Sequence, residues 1–353
     1  MTSVSLGIPA VNSATEPDPA RPDHPGLLDR YGRVATDLRV SLTDRCNLRC
    51  TYCMPPEGLD WMPADQALTD DEVVRLVRIA VEQLGVRQVR FTGGEPLLRR
   101  GLERIVRDIT SLQPRPKVSL TSNGIGLSRR AEALADAGLD RVNISLDTLD
   151  PERFKRISLR NRLSDVLEGL SAAATTDLHP VKVNSVLLRD VNDDEAIPLL
   201  RYCLERGYEL RFIEQMPLDA QHGWDRSNMI TAAEIMHRLS GEYRLETDTE
   251  ERGSAPAERF LVDGGPAAVG IIGSVTRPFC GDCDRTRLTA DGQLRSCLFS
   301  QGETDVRGPM RAGAPDDEIA DLWRNAMWRK AAGHGIDDPG FIQPSRPMSA
   351  IGG

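Results

Sequence analysis

At 353 residues, with 40% apolar and 27% charged side chains, the chain has room for one large core with an appendage, or for two domains. A net charge of −9 argues against a general nucleic-acid binder, which would present a basic face, but still allows a small anionic ligand held by clustered arginines. No apolar run reaches the ~20 residues that span a bilayer, and the first 26 residues lack the basic-then-apolar order of a secretory signal. The expectation is a cytoplasmic protein with no membrane and no nucleic-acid partner.

Residues 1–30, with five prolines in the first 26, are expected to form a disordered leader. From residue 38 strand-like runs alternate with helical ones. The strands expected are 38–43, 86–92, 117–122, 141–147, 181–188 and 209–216. The clearest helix spans 69–84, opened by Thr69 and Glu72 as a capping box and closed by Gly85. Others are expected over 102–112, 129–137, 163–176 and 194–206. Six repeated βα units imply an α/β core with a parallel sheet over 31–220.

Past Met216 the rhythm changes, and a boundary is expected near 217–240. A helix over 232–239 leads to strands at 259–262, 269–275, 286–290 and 293–298, with Asp291-Gly292 as a hairpin turn between the last two. Residues 221–335 therefore read as a small antiparallel module, ending in a helix near 317–330. A Gly/Pro-rich tail over 336–353 follows, ending in Gly352-Gly353.

Strands covered on both faces are normally continuous apolar runs, yet several here alternate. Arg39, Ser41 and Thr43 share a face; so do Arg90 and Thr92, Asn143, Ser145 and Asp147, and Lys182 and Asn184. A barrel-like sheet with a polar interior for a charged ligand accounts for this.

Six of the seven cysteines fall into two triads. Cys46-x3-Cys50-x2-Cys53 follows the first strand, where α/β folds place ligands. Three thiolates suit an iron–sulfur cluster or zinc. The lack of a nearby fourth ligand favours the cluster. For Cys280-x2-Cys283-x13-Cys297 the spacing leaves zinc and a cluster equally open.

The segment Ser41-Leu42-Thr43-Asp44-Arg45-Cys46-Asn47-Leu48-Arg49-Cys50-Thr51-Tyr52-Cys53-Met54-Pro55 resembles the signature of radical S-adenosylmethionine (SAM) enzymes, and Thr92-Gly93-Gly94-Glu95-Pro96 resembles their GGEP segment. Phe279-Cys280-Gly281-Asp282-Cys283-Asp284-Arg285-Thr286-Arg287-Leu288 resembles the carboxyl-terminal motif of GTP 3′,8-cyclases of molybdenum-cofactor biosynthesis. The resemblance covers roughly 33–300 and the end 348–353.

It implies an incomplete (βα)6 TIM-like barrel of the radical SAM type, with the carboxyl-terminal module carrying a second cluster. Two 4Fe–4S clusters would be held by Cys46, Cys50 and Cys53, and by Cys280, Cys283 and Cys297. SAM would be lined by Tyr52, Gly94, Ser145 and Met216. GTP would be the substrate, its guanine on the second cluster's open iron, with Thr121 and Thr286 adding hydroxyl contacts. Arg285 and Arg287 would bind phosphate, with Arg39, Arg90 and Lys182 facing them across the site. Gly352 and Gly353 would enter the cavity as catalytic elements. The partners implied are a flavodoxin- or ferredoxin-like electron donor and a downstream cyclic pyranopterin monophosphate synthase; a homodimer is left open. A radical SAM enzyme acting on a peptide and a non-catalytic metal-binding module are the alternatives. Cys203 matches no ligand position and is expected to be a buried thiol.

Overall fold

The computed structural model of the chain describes residues 18–352; Gly353 and the first part of the expected leader lie outside the described residues. A hairpin of β1 (Leu27–Leu28) and β2 (Val34–Ala35) begins inside the stretch expected to be a leader, because Leu27 is fully buried and anchors the chain from there. The alternating region follows as β3 (Asp37–Ser41), α1 (Asp70–Glu82), β4 (Gln88–Thr92), α2 (Leu102–Thr110), β5 (Lys117–Ser122) and α3 (Ala131–Asp136). It continues as β6 (Arg141–Ser145), α4 (Pro151–Ser158), α5 (Leu163–Ala174), β7 (Lys182–Val186), α6 (Ala196–Arg206) and β8 (Glu209–Ile213). Then come α7 (Ala232–Leu239), β9 (Leu245–Thr247), β10 (Glu258–Val262), β11 (Ala268–Ile272), β12 (Arg285–Leu288) and β13 (Gln293–Arg295). The chain closes with β14 (Thr304–Asp305), α8 (Arg307–Arg311), α9 (Asp316–Trp328) and α10 (Met348–Ile351).

The capping box of α1 is formed: Thr69 Oγ1 accepts from the Glu72 amide at 3.2 Å, and Glu72 accepts from the Thr69 amide at 2.8 Å. Helix α4 was not among the expected elements, although Asp150 caps it and Pro151 starts it. Its carboxyl end matters for the site, since the Ser158 and Ile157 carbonyls accept from the Arg49 and Thr51 amides at 2.9 Å each. The loop of the first triad therefore rests on α4.

The strands form one sheet in the order β14-β13-β12-β3-β4-β5-β6-β7-β8-β11-β10-β9. Strands β3 to β8 are the expected parallel core. The strands after it are antiparallel to one another, as expected, and they continue the core sheet at its two edges. Strand β12 joins β3 in parallel and β11 joins β8 in parallel, so only the outermost pairings are antiparallel. The physical reason is that both core edges carry unpaired N–H and C=O rows, which the later strands satisfy.

Alternation divides the sheet. Leu38, Val40, Val89, Phe91, Val118, Leu120, Leu210 and Phe212 are buried in the hydrophobic core, each large side chain contributing about 1.5–3 kcal/mol. The opposite face carries Arg39, Arg90, Thr121, Asn143, Asn184 and Arg211. No described helix is long and apolar enough to cross a membrane.

Candidate active site

The polar face encloses a cavity of about 340 Å³ whose walls include all six grouped cysteines. Tyr52, Gly94, Ser145, Met216, Thr121, Arg39, Arg90, Arg285 and Arg287 line it too.

The first triad sits in the loop after β3, clamped from two sides. Besides α4, the GGEP turn holds it: the Gly94 amide donates to the Thr43 carbonyl at 2.8 Å, and the Glu95 amide donates to the Arg45 carbonyl at 2.7 Å. A Cβ on Gly94 would lie 2.2 Å from the Arg45 oxygen, so only glycine allows this approach. Burial raises the Cys46 thiol, raises Cys50 well above the ordinary range and pushes Cys53 up to about 12. Such thiols stay neutral until a metal takes up their charge. Cys46 Sγ already accepts from the Leu48 amide at 3.5 Å and faces Asn123 Nδ2 at 3.9 Å. Tyr52 donates to Asp147 Oδ2 at 2.7 Å, while Asp147 Oδ1 accepts from the Val186 amide at 2.9 Å. Burial raises Asp147 to about 6. Glu95 turns away from the cavity, accepting from Leu97 N, Ser122 Oγ and Asn123 N at 2.7–2.9 Å; burial still raises it to about 7.

The second triad differs in charge. Buried Lys330 donates to the Cys283 and Arg285 carbonyls at 2.9 Å each and to Cys283 Sγ at 3.3 Å. Arg285 Nη1 lies 3.6 Å from the same sulfur. Burial would raise Cys283, but Lys330 and Arg285 outweigh it and hold the thiol below its ordinary value. Cys280 stays raised, by burial first and then by Cys297 and Cys283. Among the described residues no three Cys, His, Asp or Glu side chains converge on the position of one metal ion. A cluster, whose thiolates bind separate irons, asks for a wider set than a single ion does. Soft donors with N–H and ammonium groups on the sulfurs fit such a cluster.

Parallel pairing puts arginines side by side. Arg287 is in register with Arg39, Arg39 with Arg90, and Arg90 with Ser119. This corrects the expectation that Arg39 and Arg90 face Arg287 across the site: they are its neighbours along the sheet. Adjacent like charges are destabilising unless neutralised. Asp37 neutralises Arg39, with contacts of 3.0 and 2.9 Å. Burial would raise the Asp37 carboxyl, but Arg39, Arg90 and Arg285 hold it well below the usual carboxylate range. Arg90, Arg211, Arg285 and Arg287 meet no carboxylate among the described residues. Instead they reach Ser119 Oγ (3.3 Å), Asn143 Oδ1 (2.8 Å), the Ser254 carbonyl (2.5 Å) and the Gly352 carbonyl (2.5 Å) respectively. Burial, reinforced by neighbouring arginines, depresses Arg90 strongly, Arg211 to about 10 and Arg287 to about 9. Buried guanidiniums held by neutral acceptors make an anion site.

Two expected contacts are not brought to the cavity wall. Lys182 Nζ bonds Glu209 Oε1 at 2.6 Å near the start of its strand. Thr286, flanked by two cavity arginines, must point the other way, and its Oγ1 accepts from Trp323 Nε1 at 2.9 Å. Arg211, Asn123 and His334 are among the wall residues that were missed. Arg211 could have been found by the alternation that revealed Arg39 and Arg90, whereas Asn123 and His334 carry no such signal.

The tail is docked as far as it is described. Ile351 is buried with Leu218 and Phe299, and the Met348 amide donates to the Leu218 carbonyl at 2.9 Å. Gly352 has φ +67°, and a Cβ there would lie 2.4 Å from Thr92 Cγ2. Cys203 is fully buried on α6, burial pushing its thiol up to about 12.

Residues 40–203 match the Radical SAM superfamily model, and 208–336 match the model for Molybdenum Cofactor Synthesis C. A GTP 3′,8-cyclase of Streptomyces coelicolor is 66% identical over 93% of this chain and 96% of its own. One from Mycobacterium sp. (strain KMS) is 59% identical over 100% of both. Among solved structures, Streptococcus suis SuiB bound to S-adenosylmethionine shares the fold at TM-score 0.54 and 15% identity, over 75% of this chain and 60% of that one. The chain belongs to the GTP 3′,8-cyclase family within the radical SAM superfamily.

Proposed function

We propose that the chain converts GTP to (8S)-3′,8-cyclo-7,8-dihydroguanosine 5′-triphosphate, the first step of molybdenum-cofactor biosynthesis. One observation carries this reading: a single cavity is walled by both cysteine triads and by four arginines that meet no carboxylate among the described residues. When bound, a 4Fe–4S cluster and SAM would supply a 5′-deoxyadenosyl radical able to take the hydrogen atom from ribose C3′, and C3′–C8 bond formation would be completed by one electron from a reductant and one proton.

Cys46, Cys50 and Cys53 hold that cluster, and Tyr52, Gly94, Ser145 and Met216 line the SAM beside it. Cys280, Cys283 and Cys297 hold a second 4Fe–4S cluster against which the guanine sits. Arg39, Arg90, Arg285 and Arg287, joined by Arg211, bind the triphosphate, and Thr121 adds a hydroxyl. Gly352 and Gly353 close the cavity around the substrate. The reductant is a flavodoxin- or ferredoxin-like protein, and the product passes to a cyclic pyranopterin monophosphate synthase. Seven free thiols suit the reducing cytoplasm.

The test is anaerobic reconstitution followed by incubation with reductant, SAM and GTP. The expected result is about eight irons and eight sulfides per chain, with 5′-deoxyadenosine and a cyclised nucleotide formed together. Iron near four per chain would remove the second cluster, and 5′-deoxyadenosine without a GTP-derived product would remove the cyclase reading.

A further inference from the structure

The two triads line one cavity but sit in opposite electrostatic surroundings. Carboxylates act on the first: Asp147 on Cys50, Glu95 on Cys46 and Asp219 on Cys53. Arg49 opposes them at Cys46, but its Nη1 donates to the Cys46 and Leu48 carbonyls at 2.8 Å each. Cations act on the second triad. Lys330 and Arg285 act on Cys283, Arg33 acts on Cys280, and Arg287 and Arg295 lie close enough to feel Cys297. The carboxylates next to Cys283 in sequence are turned elsewhere: Asp282 is exposed, and Asp284 accepts from Thr36 Oγ1 at 2.9 Å. Amide donors reach sulfurs of both triads, from Leu48 and Ser349 on the first and from His334 and Arg285 on the second. Hydrogen bonding alone therefore does not separate the triads, whereas charge does.

Lys330 is the cation most committed to this difference. It is buried, and its ammonium has three acceptors for three hydrogens: the Cys283 and Arg285 carbonyls at 2.9 Å each and Cys283 Sγ at 3.3 Å. Among the described residues it forms no ion pair with a carboxylate, so its charge is directed at a cysteine sulfur, out of reach of solvent screening. A reduced cluster carries one more negative charge than an oxidised one. A fixed cation on a ligand sulfur therefore favours the reduced state. We propose that Lys330 is a positioning residue for the second cluster, its ammonium on Cys283 Sγ making that cluster the more readily reduced of the two. The inference rests on the reading that the second triad holds a 4Fe–4S cluster.

The experiment uses full-length protein, reconstituted anaerobically without SAM or GTP and titrated with dithionite against redox dyes. Electron paramagnetic resonance reads the reduced clusters. Each cluster is observed alone, the second in C46A/C50A/C53A and the first in C280A/C283A/C297A, with iron per chain measured in parallel. The second cluster is expected to be half-reduced at the higher potential. Adding K330Q, which removes the charge, should lower its ratio of reduced to oxidised form about tenfold at a fixed potential, a midpoint fall of about 59 mV. K330R, which keeps the charge, should stay near its parent, and K330Q should leave the first cluster's midpoint where it was. An unchanged second-cluster midpoint in K330Q overturns the inference, even if cluster content falls, because packing alone would then explain Lys330. An equal fall in K330R overturns it as well. If K330Q holds no cluster, the parents decide: a second cluster above the first supports the inference, and one at or below it overturns it. Iron near zero in C46A/C50A/C53A, where about four are expected, overturns the second-cluster reading itself, and this inference with it.

Discussion

Replacing Gly352 with Ala should uncouple radical formation from product. The residue has φ +67° and ψ 140°, close to a region that side chains rarely enter, at a cost of about 1–3 kcal/mol. The new Cβ would also lie 2.4 Å from Thr92 Cγ2 and 2.9 Å from the Gly93 nitrogen. Thr92 could rotate, but Gly93 sits in a turn tied to the Thr43 and Arg45 carbonyls, so overpacking adds roughly 1–3 kcal/mol. Against this, the tail is held by burial of Ile351, about 1.5–3 kcal/mol, and by the Arg287 bond to the Gly352 carbonyl, about 1.5–3 kcal/mol. Strain of this size is as large as the holding energy, so the docked tail loses its advantage over the undocked one. The assay compares cyclised nucleotide with 5′-deoxyadenosine in the same reaction. We expect their ratio to fall at least tenfold, about 1.4 kcal/mol, with iron content unchanged. Gly340→Ala is the control, because nothing lies within 4 Å of a Cβ there. A wild-type ratio in Gly352→Ala would refute the reasoning.

Arg287→Ala should weaken GTP binding tenfold to a hundredfold, the loss of a charge-assisted hydrogen bond worth about 1.5–3 kcal/mol, while Lys182→Ala should change it little; titration of reconstituted protein with GTP checks both. Lys330→Met should lower iron at the second triad, since Cys283 loses the ammonium that favours its thiolate; iron and sulfide analysis should show retention nearer one cluster than two. Cys203→Ala should keep both clusters and cost only about 1 kcal/mol of stability, measured by chemical unfolding. Glu95 gives a pH signature. The folded chain holds its proton up to about 7, against an ordinary 4.5, so wild type loses up to roughly 3 kcal/mol as pH rises from 4.5 to 7. Glu95→Gln cannot ionise, so the stability difference between the two proteins should shift in favour of the variant across that window; a constant difference in urea unfolding between pH 5 and 7.5 would remove the burial argument.

The two triads were legible because each is set by local spacing, and the glycines of the GGEP turn because backbone approach admits no other residue. The polar face of the sheet was legible for the same kind of reason: a period of two puts Arg39, Arg90 and Ser145 on one side whatever the rest of the chain does. The same period turns Thr286, between Arg285 and Arg287, to the opposite face, where its hydroxyl accepts from Trp323 rather than reaching the nucleotide as the resemblance implies. What could not be read was pairing between distant strands. Nothing near Arg287 announces Arg39 as its neighbour, and nothing in the irregular segment after α9 announces that Lys330 and His334 return to the second triad. Lys182 shows the limit from the other direction. It shares the face of Asn184, but Glu209 stands opposite it in register and takes its charge.

That distant pairing is also what builds the site. The edge of β3 would expose a row of backbone donors and acceptors, and β12 satisfies it. The same ladder places Arg287 beside Arg39 and carries the second triad, which flanks β12 and β13, to the mouth of the cavity that the first triad already lines. Edge protection alone would be served by any strand, including an apolar one. This strand instead puts two arginines into a row that already holds two, and among the described residues an ion pair, with Asp37, forms at only one of the four. The cost is of the kind that a well-packed apolar side chain in place of a buried ion avoids. Four such positions facing one cavity support the proposal that the row is balanced by an anion from outside the chain, with the second triad and the anion site acting as one unit.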